Sequence, residues 1–186
     1  MQLQLTTLAG CALAIGGYPR FAYDARGGGG IGLLGDDGDG GRRLEFSPRH
    51  LHIPPLNWRS TRLLGLPLPP GLTIAIEPRR LSGHLEPHSG ELRLCFQARF
   101  HCSALGIYRP AALEIDTELR TGAIASRRHN CRGSVLDTDG EGLLVGVAEV
   151  PRSGDPWLDR FLGLPDEALA VLRCRLSPAE SGLRAG

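Results

Sequence analysis

The chain of 186 residues contains no lysine, so arginine supplies all 21 of its Lys-or-Arg positions. That absence excludes a Schiff-base lysine, a pyridoxal-phosphate anchor, a P-loop lysine and a Ser-x-x-Lys nucleophile. Aromatic residues make up only 5% of the sequence and the formal net charge is +1. Nucleic-acid binders ordinarily combine a strong basic excess with aromatic stacking platforms, so Arg42-Arg43, Arg79-Arg80 and Arg127-Arg128 do not carry that reading. Arginine beside abundant glycine, alanine, leucine and proline reflects GC-rich coding more simply than function. No apolar run reaches the about 18 residues of a transmembrane helix.

The five cysteines form no Cys-x-x-Cys pair and fit neither a zinc ribbon nor a dense disulfide framework. Free thiols in a reducing compartment are expected, which points to a cytoplasmic protein with any membrane contact peripheral. Leu8-Ala9-Gly10-Cys11 has the form of a lipoprotein cleavage box. A secretory signal, however, needs a basic n-region and an apolar h-region. Only ten residues precede Cys11, none is basic, and Gln2 and Gln4 alternate with Leu3 and Leu5. The segment reads as a first β-strand.

Two-residue periodicity is what the sequence has most of. Leu92, Leu94, Phe96, Ala98, Phe100 and Cys102 alternate with Arg93, Cys95, Gln97, Arg99 and His101. Successive strand side chains point to opposite faces, so one face covers a core and the other meets water. Leu72, Ile74 and Ile76, and then Leu113, Ile115, Thr117 and Leu119, repeat the pattern. Glu77 in the first and Glu114, Asp116, Glu118 and Arg120 in the second alternate with them, so opposite charges could pair across strands. Glu86-Pro87-His88-Ser89-Gly90-Glu91 supplies a proline to preset φ and a glycine for positive φ, which predicts a hairpin.

Gln2 to Leu8 and Ala12 to Ala25 read as a strand pair, interrupted near Gly16-Gly17-Tyr18-Pro19, with Phe21 and Tyr23 on one face. The run Gly27 to Gly30 satisfies a Gly-x-Gly-x-x-Gly spacing through Gly27, Gly29 and Gly32 but opens no helix, so it reads as a flexible loop between strands. The acidic sets Asp36, Asp37, Asp39 and Asp137, Asp139, Glu141 read as turns. The second lacks the twelfth-position glutamate of a calcium loop, because that position is Ala148. Val135-Leu136 and Leu143-Leu144 then form the paired ends of a hairpin. Asp155 can cap a helix opened by Pro156 and stopped by Gly163, with Trp157, Leu158, Phe161 and Leu162 on its apolar side. Residues 168–176 suit a closing strand better than a second helix.

The expected fold is all-β: a single-domain antiparallel β-sandwich or barrel over 1–178 with one short C-terminal helix and a flexible tail at 179–186. Roughly ten strands would suit a closed or sandwiched sheet.

Ile53 to Gly71 is proline-rich and apolar, which rules out a central strand or continuous helix. Its leucines could simply close one end of the core. The sharper reading is a contact surface of Trp58, Arg59, Arg62, Leu63, Leu64, Leu66 and Leu68 for a protein partner, an apolar ligand or a membrane surface. The alternative is a hydrolase or metal-dependent enzyme with a spatially assembled site. No Gly-x-Ser-x-Gly elbow supports it. His84 with His88, His50 with His52, and His129 with Cys131 each offer two ligands but no complete metal site. No metal and no cofactor are expected, and the function read from the sequence is non-enzymatic binding or assembly.

Overall fold

The structure is a computed structural model that describes residues 1–36, 38 and 40–179. The periodic segments form strands: β1 (Gln2–Thr7), β2 (Cys11–Ile15), β3 (Phe21–Tyr23), β4 (Gly29–Asp36) and β5 (Arg42–Phe46) come first. After a 3-10 turn at Pro48–His50 come β6 (Thr61–Leu63), β7 (Leu66–Pro67), β8 (Leu72–Glu86), β9 (Glu91–Ala104) and β10 (Leu113–Arg120). The chain ends through β11 (Ala123–Ala125), β12 (Asn130–Arg132), β13 (Glu141–Val150), α1 (Pro156–Leu162) and β14 (Asp166–Pro178).

The sheet closes on itself. Antiparallel pairings run β1, β4, β5, β8, β9, β10, β13, β14 and return from β14 to β1, so these eight strands form a barrel. Closure removes the sheet edges that would otherwise expose unpaired main-chain groups. The sequence left sandwich and barrel open, and the β1–β14 pairing decides for the barrel.

β14 also shapes the wall. Its second half pairs with β1 through Leu5↔Leu176, while its first half pairs with β2 through Ala170↔Leu13. Between them Gly10, at φ 92, turns the chain where a side chain would be strained. β2 then hands on to β3, β6 and β7, and Leu56 bridges back to Ile74 of β8. One end of the barrel is therefore the tight ring of eight. The other is widened by β2, β3 and β6.

Pro78 lies in β8 where the register slips by one residue between Pro78 and Arg80. It lacks an N–H to donate, and the bulge accommodates that. The slip changes the parity of the strand, so Ile74 and Ile76 face inward before it and Leu81 after it.

The tight end is packed solid by Leu3, Leu5, Leu44, Leu92, Leu94 and Leu144, with Phe46, Leu176 and Cys174 beside them. The β8–β9 hairpin turns from Glu86 to Glu91 with Gly90 at φ 71, as the sequence predicts. Across β9 and β10, Arg99 Nε donates to Glu114 at 2.9 Å and Gln97 Nε2 to Asp116 at 2.7 Å. The acidic turn at 137–141 is closed by Asp137 Oδ1, which accepts from the amides of Asp139 and Glu141. A Ser134–Leu143 bridge joins its arms.

Several expectations are corrected. The Gly27–Gly30 run is not a loop between strands, since Gly29 and Gly30 open β4. A Cβ on Gly29 would sit 2.0 Å from the Leu5 carbonyl oxygen, and one on Gly30 2.4 Å from that of His50. Glycine is required there by close backbone approach. β1 does not pair with the strands that follow it but with β4 and β14, because β14 is long enough to serve both β1 and β2. Fourteen strands are present among the described residues, more than expected, and β3, β6, β7, β11 and β12 are only two or three residues long. Asp37, Asp39 and tail residues 180–186 lie outside the described residues.

Candidate ligand cavity

The widened end is hollow. A cavity of about 490 Å³ sits between the inner faces of β8, β9, β10, β13, β14 and β2, within the range of small-molecule sites. Its floor is Leu5, Leu81, Phe96 and Leu119, which form the top of the packed end. Its walls include Ile74 and Ile76 of β8, Phe100 of β9, Ile115 of β10 and Ala148 of β13. The same alternation that fills the tight end with leucines lines this end with side chains that do not meet across the wider bore.

The wall presents one free polar group, the buried Thr117 hydroxyl, which has no partner among the described residues. Thr7 Oγ1 donates to the carbonyl of Ala25, and Tyr23 Oη to that of Pro54. Cys11 Sγ donates to the Leu8 carbonyl at 3.3 Å. Burial pushes the Tyr23 phenol and the Cys11 and Cys102 thiols up. Cys174 beneath the floor is pushed up to about 12 by the same cause. These thiols stay protonated at neutral pH and are poor nucleophiles. Cys11, the cysteine of the cleavage-box motif, is buried at the start of β2.

The other chemistry-bearing residues do not converge. His50 closes the 3-10 turn, His52 bridges to Gly29, His84 lies on β8 and His88 in the following turn. Among the described residues no three His, Cys, Asp or Glu side chains are arranged to hold a metal ion.

The proline-rich segment divides between inside and outside. Leu63 and Leu68 line the cavity at its mouth. Leu64 and Leu66 flank the tip of the β6–β7 hairpin and are exposed. Trp58 is exposed at the foot of β6, with the Arg59 guanidinium 4.9 Å from the centre of its ring. Arg62 donates to the Trp58 carbonyl at 2.7 Å.

Sequence reasoning missed the rest of the mouth. Asp155 caps α1 through the Leu158 amide at 2.8 Å and Gly163 ends it at φ 71, as predicted. Only one of its two apolar stripes is buried, however. Leu158 and Leu162 turn inward, while Trp157 and Phe161, four residues apart, are exposed. Their rings stack at 5.0 Å. The arc continues from Phe161 to Tyr18 at 6.1 Å and on to Phe21 at 6.3 Å, which pairs with Leu63 across β3 and β6. On the other side Trp157 meets Tyr108 edge-on at 5.1 Å, and the exposed Leu105 and Ile107 stand before Tyr108. The Leu105 amide donates to the Gly71 carbonyl at 2.9 Å, which returns the arc to the end of the proline-rich segment. The available signal was the second helical stripe Trp157/Phe161: a seven-residue helix with apolar residues on two sides cannot bury both.

Beside this mouth the tip of the β11–β12 hairpin is anchored by charge. Asp166 accepts from Arg127 at 2.7 Å and Arg128 at 2.6 Å, and those guanidiniums hold its carboxyl down to about 2. Glu167 accepts from the Ser126 hydroxyl and the Arg127 and Arg128 amides, which lower its pKa as well.

No family model, curated protein or solved structure matches this chain, so the cavity and its rim are read from their own residues alone.

Proposed function

We propose that this chain is a non-enzymatic binding protein that holds an apolar small molecule inside the widened end of its barrel. The observation that carries this reading is the cavity of about 490 Å³, walled by aliphatic and aromatic side chains whose few polar neighbours are mostly bonded to main-chain carbonyls. A ligand with many hydrogen-bonding groups would lose its hydration there without replacement. A hydrocarbon or largely hydrocarbon molecule would lose nothing and would gain from burial at about 25 cal/mol per Å².

Native mass spectrometry of the purified protein, before and after mild denaturation, tests the reading together with titration by an apolar fluorescent reporter. A releasable mass or saturable reporter binding is expected. Ala148→Phe and Ile115→Phe, which fill the space from two different strands, are expected to abolish binding while the thermal transition stays cooperative. Absence of any bound mass together with non-saturable reporter binding would overturn the proposal.

A further inference from the structure

We propose that the open end of the barrel docks on a membrane surface rich in anionic phospholipid headgroups, with the exposed leucines and aromatics of the rim entering the interface. This goes beyond the cavity, because docking requires nothing to be bound inside.

The apolar residues of the rim stand out into solvent. Leu64 is 77% exposed, Leu66 70%, Leu105 74%, Ile107 87%, Trp157 58% and Phe161 45%. They come from three separate chain segments that share nothing but this end of the barrel. Together they form a protruding ring of apolar tips, the shape that enters the headgroup boundary of a bilayer.

Two of those tips are held at a conformational cost. Leu64 and Leu105 are the non-glycine residues with positive φ among the described residues, at 51 and 52, and each precedes a glycine. The left-handed region suits asparagine or glycine and strains a leucine. Packing accounts for little of either leucine, since both side chains are largely in water and only Cδ2 of Leu105 rests against Gly71. A role that uses their apolarity accounts for both.

The charge around the rim specifies the surface. An arginine stands beside each apolar segment: Arg20 before Phe21, Arg62 before Leu63, Arg109 after Tyr108 and Arg160 before Phe161. All four are exposed, and among the described residues none forms an ion pair with a carboxylate. Residues 16–22, 58–71 and 104–112 contain no Asp or Glu. In 151–163 the two carboxylates are engaged, Asp155 by the Leu158 amide and Asp159 by the Ser153 amide and hydroxyl at 2.6 Å. Guanidiniums flanking apolar tips match anionic headgroups above hydrocarbon. Two copies meeting by this face would oppose arginine to arginine, which disfavours self-association.

Co-sedimentation with phosphatidylcholine vesicles, with and without phosphatidylglycerol, tests the proposal. Binding to the mixed vesicles is expected, with little to phosphatidylcholine alone and weakening as salt rises. Leu64→Asn with Leu105→Asn should fold at least as well as the parent, because asparagine tolerates positive φ. The pair should bind vesicles at least about tenfold more weakly. Arg20→Glu with Arg109→Glu should remove the preference for phosphatidylglycerol. Absence of vesicle binding at low salt would overturn the proposal, as would binding unchanged in the leucine pair. A concentration-dependent dimer that Leu64→Asn and Leu105→Asn dissolve, without vesicle binding, would reassign the rim to self-association. Stable binding to an acidic protein surface in the absence of lipid affinity would reassign it to a protein partner. An empty cavity leaves these outcomes unaffected, so failure of ligand binding and failure of docking are separable.

Discussion

The two ends of the barrel are built from the same strands and filled by different means. At the tight end, Leu44, Leu92, Leu94 and Leu144 are wholly buried against one another and against β1 and β4. At the wide end, Ile74 and Ile76 of β8, Phe100 of β9 and Ile115 of β10 take the same inward face, yet they border a cavity. Strand number and bore decide this, since a ring of eight is just wide enough for side chains to fill. Recruiting β2, β3 and β6 into the wall exceeds that limit. The loops differ too: Asp36, Glu86, Glu91, Asp137 and Asp139 are exposed at the tight end, with arginines such as Arg42 and Arg175 among them. At the wide end Arg20, Arg62, Arg109 and Arg160 are exposed without a carboxylate partner among the described residues, and Glu149 near the end of β13 is exposed there as well. Both ends carry arginines, but those at the wide end stand beside exposed apolar residues rather than among carboxylates.

The largest test of this contrast is truncation. Leu94→Ala at the tight end should destabilise by about 3–4 kcal/mol, as for a core leucine that leaves a cavity. Ile76→Ala in the cavity wall should cost about 1–2 kcal/mol, because its side chain already lacks partners on one side. Chemical denaturation of both variants checks the difference, and equal losses would mean that the wide end is packed in solution.

The next effect is pH-dependent. Arg128 and Arg127 hold Asp166 at about 2, below the ordinary aspartate value. A carboxylate whose pKa is lower folded than unfolded stabilises the fold fully above about pH 4 and loses that contribution as pH falls toward about 2. Hydrogen exchange in the β11–β12 hairpin should therefore accelerate over that window. Asp166→Asn should show fast exchange at every pH, while exchange in the tight end stays slow.

A smaller effect of opposite sign is expected at the rim. Leu64→Asn should raise stability by about 0.5–1 kcal/mol by relieving a bulky residue from positive φ. A rise in the thermal midpoint would check it. Thiol labelling supplies the finest distinction. Cys95 on the outer face should react first, Cys11 and Cys102 in the cavity wall more slowly, and Cys174 beneath the floor only on unfolding. An apolar ligand should protect Cys11 and Cys102 further.

Much of the strand pattern was legible because alternation is a local property. Leu92 to Cys102 and Leu113 to Leu119 announce which side faces inward, and Asp155, Pro156 and Gly163 announce a helix whose ends are set by capping. The proline-rich segment was legible as a place of contact but not as two sets of residues, since its inward pair Leu63 and Leu68 and its outward pair Leu64 and Leu66 differ only in which side of a short hairpin they occupy. Gly29 and Gly30 misled because the reason for them lies in the backbones of Leu5 and His50, remote in sequence.

By itself the sequence determined the all-β class, the inward faces of the long strands, the hairpin at Glu86 to Glu91 and the helix at 156–162, because two-residue periodicity and capping act between near neighbours. Only the tertiary structure decided closure through β1 and β14, the cavity and the ring of exposed tips. Each of these depends on where residues far apart in the chain meet, and on how wide a ring their strands enclose.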